Sequence, residues 1–227
     1  MAKLKFGMMV VEGRGKLGGH VLSRNRGGAY ARTKVTPVNP STSYQQGARN
    51  RLAARAQGWR GLTQAQRDAW NAAVSDFART DIFGDIRNPS GQNLFVLINV
   101  NLVNSGLATV SVPPVAMATP PIVATSATIA VGTTQFDVAF TGAGLVTDAI
   151  HIWATDGLSP GISYAKNRLR FIGSVAGNTA SPEDIWALYV ARFGVPTVGQ
   201  KVIVQLVGVA SNGQQGVPSE TSGIVAA

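Results

Sequence analysis

Along the chain the spacing of apolar and polar positions changes character three times, and each change predicts a different kind of element. From Lys3 to Thr36 short runs alternate with glycine: Lys3 to Val11, His20 to Asn25 and Ala29 to Thr36 read as strands. The turns between them are Gly13-Arg14-Gly15-Lys16-Leu17-Gly18-Gly19 and Arg26-Gly27-Gly28. Large apolar residues are few here (Phe6, Met8, Met9, Val10, Leu22, Tyr30), and two or three short strands need a second layer to cover them. Residues 1–38 are therefore expected to form a basic, glycine-rich β-arm that gains its order from a partner or from the helices that follow.

Pro37-Val38-Asn39-Pro40 closes the arm, because each proline biases the residue before it away from helix. Residues 39–109 then read as a helical region. Ser43 with Gln46 is expected to open one helix with the stripe Ala48, Leu52, Ala56 and Trp59, and Gly58 and Gly61 mark its end. Thr63 with Gln66 opens a second helix, with the stripe Ala69, Trp70, Ala73, Val74 and Phe77. A short turn makes the two antiparallel neighbours that bring Trp59 and Trp70 together, with Leu52, Trp59, Trp70, Val74 and Phe77 as the core of the pair. Asn88-Pro89-Ser90-Gly91 is a turn, and Gln92 to Asn104 fits a helix with Leu94, Phe95, Ile98 and Leu102 inside and Asn99, Asn101 and Asn104 outside.

Residues 110–121 carry Pro113, Pro114, Pro120 and Pro121 among small residues and read as a linker. From Ile122 onward the rhythm is that of short strands. The candidates are Thr128 to Val131, Gln135 to Phe140, Ala149 to Ala154, Arg168 to Val175, Ile185 to Phe193 and Lys201 to Val209. Gly142, Gly157, Gly173, Gly194 and Asn212-Gly213 punctuate them. About seven short strands in roughly a hundred residues is the pattern of an immunoglobulin- or fibronectin-like sandwich, with Trp153 as its core tryptophan. The fold class expected is α+β: a β-arm and helical hairpin, followed by a sandwich over 122–227.

Charge sharpens this division. The chain has 227 residues and a formal charge of +9, yet residues 1–88 hold 15 Lys/Arg against 5 Asp/Glu, and residues 89–227 hold 5 against 6. The halves therefore face different partners: a basic half suits nucleic acid or an acidic protein surface. The absence of cysteine excludes disulfides, thiolate metal sites and thiol catalysis. Leu94 to Val103 is too short, and too interrupted by asparagine, to span a membrane. The apolar stretch Phe6 to Val11 meets Glu12 and has no small-residue cleavage site, so the chain is expected to act without export.

No motif points to an enzyme. Gly13 to Gly19 lacks the Gly-Lys-Ser/Thr ending and the strand-loop-helix setting of a phosphate-cradling loop, and reads as a glycine turn. His20 and His151 stand in strand-like segments away from other ligand types, and Glu183-Asp184 reads as a pair of first-turn charges. No metal or cofactor is expected. Arg49, Arg51, Arg55, Arg60 and Arg67 lie on the helices' outer faces, but a helix-turn-helix reading lacks a third supporting helix at the usual distance. Arg14, Lys16, Arg24, Arg26, Arg32 and Lys34 are the candidate contacts, either for docking on an acidic neighbour or for phosphates.

Three stretches carry a resemblance. They are Gly-Lys-Leu-Gly-Gly-His-Val-Leu-Ser-Arg-Asn-Arg-Gly-Gly-Ala-Tyr-Ala-Arg (15–32), Pro-Val-Asn-Pro-Ser-Thr (37–42) and Trp-Arg-Gly-Leu-Thr-Gln-Ala-Gln-Arg-Asp-Ala-Trp (59–70). Together they resemble an uncharacterised family of virion structural proteins of tailed bacteriophages and prophages. They are also similar to a Bacteroidetes family of unknown function with a basic glycine-rich start and a terminal β-domain. The resemblance covers about a third of the chain and brings no catalytic or binding residues. It implies a virion structural protein, capsid-associated or part of the neck (head-tail connector) or tail. Such a protein would assemble in the host cytoplasm with other virion proteins and copies of itself, through its arm and helices. The alternative expectation is a nucleic-acid-binding protein that uses the basic half nonspecifically.

Overall fold

The computed structural model describes residues 2–5, 13–25, 27–36, 38–81, 83–142 and 144–227. The fold is mixed α+β, with a small basic sheet, a helical layer and a curled seven-stranded sheet. The small sheet contains β1 (Ala2–Leu4), β2 (Gly15–Leu17), β3 (His20–Asn25) and β4 (Gly28–Thr33), in the antiparallel order β1-β4-β3-β2. The strand expected over Lys3 to Val11 is described only at its start, and residues 6–12, Arg26 and Pro37 lie outside the described residues.

Two helices follow, α1 (Ser43–Gly61) and α2 (Gln64–Ala72), the second running on into a 3-10 turn at Ala73–Phe77. The cap of α1 is one residue earlier than expected: Thr42 accepts from the Gln45 backbone N–H, leaving Ser43 as the first helical residue. At α2 the capping box forms as the sequence predicts, with Thr63 accepting from Gln66 N–H and Gln66 accepting from Thr63 N–H. A short hairpin, β5 (Arg79–Thr80) and β6 (Ile86–Arg87), leads to α3 (Gly91–Asn104), which is capped by Ser90.

The helical core differs from the expected pair. Trp59 and Trp70 both pack on Phe95 of α3, with ring centroids 5.7 and 5.4 Å away and the Trp70 ring edge-on. Gly58 of α1 also lies against Phe95, where a Cβ would stand in ordinary contact, 3.6 Å from the ring. Trp70 is fully buried, whereas Trp59, Val74 and Phe77 are half-buried around it. Leu52 is no core residue at all: it is 56% exposed, and α1 has no buried residue. Of its stripe, Ala56 and Trp59 are half-buried, Trp59 against Phe95, while Leu52 is left open to solvent.

Helix α3 is the hub of the molecule, and here the asparagines reverse the expectation. Asn99 and Asn101 are buried, not outward-facing, because α3 has neighbours on more than one side. Asn99 donates to the Phe95 and Val110 carbonyls and accepts from Val110 N–H, while Asn101 donates to the Gly213 carbonyl at 2.8 Å. Each bond satisfies a group whose burial would otherwise cost about 1–3 kcal/mol. Gly213 has φ +84° and lies so close to α3 that a Cβ would stand 2.7 Å from the Ile98 carbonyl oxygen; glycine is required on both counts.

Residues 110–121 connect the helices to the sheet as a pinned strap. The Trp70 indole N–H donates to the Ser111 carbonyl, the Asn212 amide to the Val115 carbonyl, and Met117 N–H to the Gln214 side chain.

The large sheet contains β7 (Val123–Ala130), β8 (Gln135–Thr141), β9 (Ala149–Ala154), β10 (Arg170–Ala176), β11 (Glu183–Asp184), β12 (Lys201–Val209) and β13 (Ser219–Ala226). Their order is β10-β9-β12-β13-β7-β8-β11. Strand β13 pairs antiparallel with β12 over most of its length, then parallel with β7 at Val225↔Ile129 and Ala226↔Ala130. The sheet curls around a core that includes Ile129, Phe136, Val138, Ile150, Ile152, Val202, Val204, Leu206 and Val225. Three expectations are corrected. Ile185 to Phe193 is no strand: its main part is the helix α4 (Trp186–Phe193), which places Tyr189 in the core against Phe136. Trp153 is no core tryptophan: it is half-buried on the other face of β9, edge-on to Phe171. Glu183-Asp184 forms a short edge strand on β8 rather than a first helical turn, although the Asp184 carboxylate accepts from Trp186 N–H at the start of α4.

Candidate docking surface

The arm sheet is built by register. Gly15↔Leu22, Lys16↔Val21 and Leu17↔His20 pair β2 with β3, and Val21↔Arg32 and Arg24↔Ala29 pair β3 with β4. Directly opposed residues share a face, and neighbours along a strand alternate. Lys16, Val21 and Arg32 therefore form one row across three strands, with Tyr30 and Lys3 on the same face. Arg24 belongs to the opposite face, with Leu17, Leu22 and Leu4. The predicted cations are thus divided between two faces. Arg14 precedes β2, Lys34 follows β4 with its N–H bonded to the Gly19 carbonyl, and Arg26 lies outside the described residues.

No described residue of the arm is buried. Leu17 is 70% exposed on β2, an edge strand that pairs, among the described residues, with β3 alone. Such an edge offers unpaired backbone N–H and C=O groups to another chain.

A carboxylate latch that sequence reasoning missed holds the arm to the helical layer. The Asp81 side chain is almost fully covered and accepts from the backbone N–H groups of Phe83 and Asp85 at 2.8 and 3.1 Å. It also meets Lys3 and Arg87, each at 3.4 Å. Burial pushes its pKa up, but the two backbone bonds and Lys3 outweigh that and hold it at about 2. Beside it Asp85 pairs with Lys5 at 2.9 Å and Arg87 at 3.6 Å, and the Lys5 ammonium lies over the Phe83 ring. The one signal in the sequence was Asp81 and Asp85 spaced to clasp one turn.

A second internal contact joins α3 to the large sheet. His151 is fully buried, with Nε2 2.8 Å from Ser105 Oγ, and the Ser174 hydroxyl donates to the Asn104 carbonyl. Burial lowers the His151 pKa to about 4, against a weaker opposing effect of a backbone hydrogen bond at Asn101. Among the described residues no three His, Cys, Asp or Glu side chains are grouped to hold a metal ion. No helix of the described residues is long and apolar enough to cross a membrane. Compared with protein-family models, curated proteins and solved structures, the chain matches none.

Proposed function

We propose that this chain is a virion structural protein of a tailed bacteriophage and not an enzyme: a capsid-associated, neck or tail component whose arm docks on neighbouring virion subunits. The observation that carries this reading is the arm itself. It is a four-stranded sheet with no described residue buried, an edge strand open to another chain, and a polar latch as a main tie to its own helices. A strand supplied by a neighbour would extend it at β2, while Lys16 and Arg32 meet an acidic surface. The resemblance of residues 15–70 to phage virion proteins points the same way.

The large sheet supports the finer reading of an immunoglobulin-like sandwich. Its order splits into β10-β9-β12-β13 and β7-β8-β11, which parallels the C′-C-F-G and A-B-E orders of that fold. In this reading the sandwich projects or packs against symmetry mates while the arm anchors.

Mass spectrometry of purified particles tests the role directly, and the chain should be present at a fixed ratio to the other structural proteins. Lys16→Ser with Arg32→Ser should abolish incorporation while genome packaging stays normal. DNA binding by the isolated protein should be weak and collapse at physiological salt. Tight, salt-resistant DNA binding that the same two changes eliminate would instead establish the nucleic-acid reading.

A further inference from the structure

We infer that the face formed by α1 and the C-terminal half of α3 is a second docking surface, which takes an acidic amphipathic segment of another protein. Helix α1 is 19 residues long without one buried residue, a length that would ordinarily bury a stripe. A groove of about 220 Å³ runs between the helices, with Val100 and Val103 of α3 and Ala54 of α1 as its apolar floor. Arg51 and Arg55 line its rim, and Leu52 stands exposed beside them.

Charge selects the occupant. Helix α1 carries Arg49, Arg51, Arg55 and Arg60 and no acidic residue, and α3 carries no charged residue of either sign. Arg49 donates to the Asn39 side chain, but Arg51 and Arg55 make no hydrogen bond or ion pair with the described residues. Past the N-terminal end of this face, the Arg192 guanidinium stacks on the Tyr44 ring at 3.6 Å and adds another cation. A second copy of α1 laid here would bring four more arginines against these, so self-pairing is disfavoured. A phosphate backbone would use the guanidiniums but leave Leu52, Val100 and Val103 unused. A segment with carboxylates flanking an apolar stripe satisfies both, in the helix-in-groove manner.

The inference rests on the docking role proposed above and names the partner's chemistry. The probe is a synthetic peptide of about 18 residues, about five helical turns, with glutamates flanking a leucine stripe. Its control has the same composition in scrambled order, and a short DNA duplex is the second probe. Each is titrated with the full chain at physiological ionic strength by fluorescence anisotropy. The patterned peptide should bind about tenfold or more tighter than the scrambled one. Leu52→Ser and Val103→Ser, both exposed positions, should each weaken the peptide several-fold and leave DNA binding unchanged, while Arg51→Gln with Arg55→Gln weakens the peptide at least as much. Thermal melts check that the variants remain folded. Equal binding of both peptides, or indifference to the two serine changes, overturns the inference; so does a face on which only the arginine changes matter and DNA binds better than peptide. A chain absent from purified particles would end the docking role itself. A chain incorporated through its arm, with no preference for the patterned peptide, would end only this inference.

Discussion

The arm sheet and the large sheet are both ladders of paired strands, yet one has no described residue buried and the other closes on a shared apolar core. Backbone hydrogen bonds are made in both, so pairing is not what separates them. The difference is the second layer. In the large sheet, curling puts Phe136, Ile152 and Val204 opposite one another and α4 adds Tyr189. In the arm, Tyr30, Leu22 and Val21 remain half-open on both faces. Net hydrogen-bond contributions are small beside the burial of large apolar side chains, so the arm is the part of the chain with stability still to gain from contact.

The comparison can be broken most sharply in the cores. Phe136→Ala should cost on the order of 3–5 kcal/mol in chemical denaturation, because it empties the centre of the curled sheet. Tyr30→Ala in the arm should cost well under that; equal losses would mean that the arm has a hidden second layer. Trp70→Ala should likewise cost about 3–5 kcal/mol, and Trp59→Ala clearly less, since its ring is only half-buried on Phe95. Reversal of that order would show that α1, not α2, carries the helical core.

Acid should act on the joint between α3 and the large sheet. His151 has a folded pKa of about 4 against an ordinary 6.5, so the unfolded chain binds the proton first. Stability from this group is full above pH 6.5 and falls as pH drops toward 4, by about 3 kcal/mol at most. Denaturation midpoints measured from pH 7 to pH 4 should show this slope, and His151→Gln should flatten it. The smallest global effect is expected at the latch. Asp81→Asn should speed proteolysis of the arm while leaving the melting of the large sheet unmoved. The latch is present above the ordinary carboxylate range and is lost as pH falls through about 2.

Some of this was legible in the sequence, for local reasons. The Thr63 and Gln66 box lies three residues apart, and strands β9 and β12 match the ranges read from their apolar runs. What was hidden depended on distant residues. Trp186 to Phe193 is apolar enough to pass for a strand, and its helical form is decided by where Tyr189 meets Phe136. Asn99 and Asn101 look solvent-facing until the strap and the Gly213 turn supply their partners. Leu52 matched a helical stripe, but periodicity says which side of α1 is apolar and not how far α3 extends to cover it. For the docking residues, the sequence marked where the cations cluster. It could not divide Lys16 and Arg32 from Arg24, because that needs the register.

Helix α3 also has a mechanical consequence. Near its first turn lies the hairpin that bears the Asp81 latch, and at its last turn Ser105 and Asn104 grip His151 and Ser174. Its 14 residues span about 21 Å. A pull on the arm thus reaches the large sheet along one stiff rod with polar couplings at both ends. Those couplings differ in strength: the exposed ion pairs of Lys5 and Arg87 should slip before the buried contacts at the far end. Under load, the molecule would release its arm first and keep its body whole.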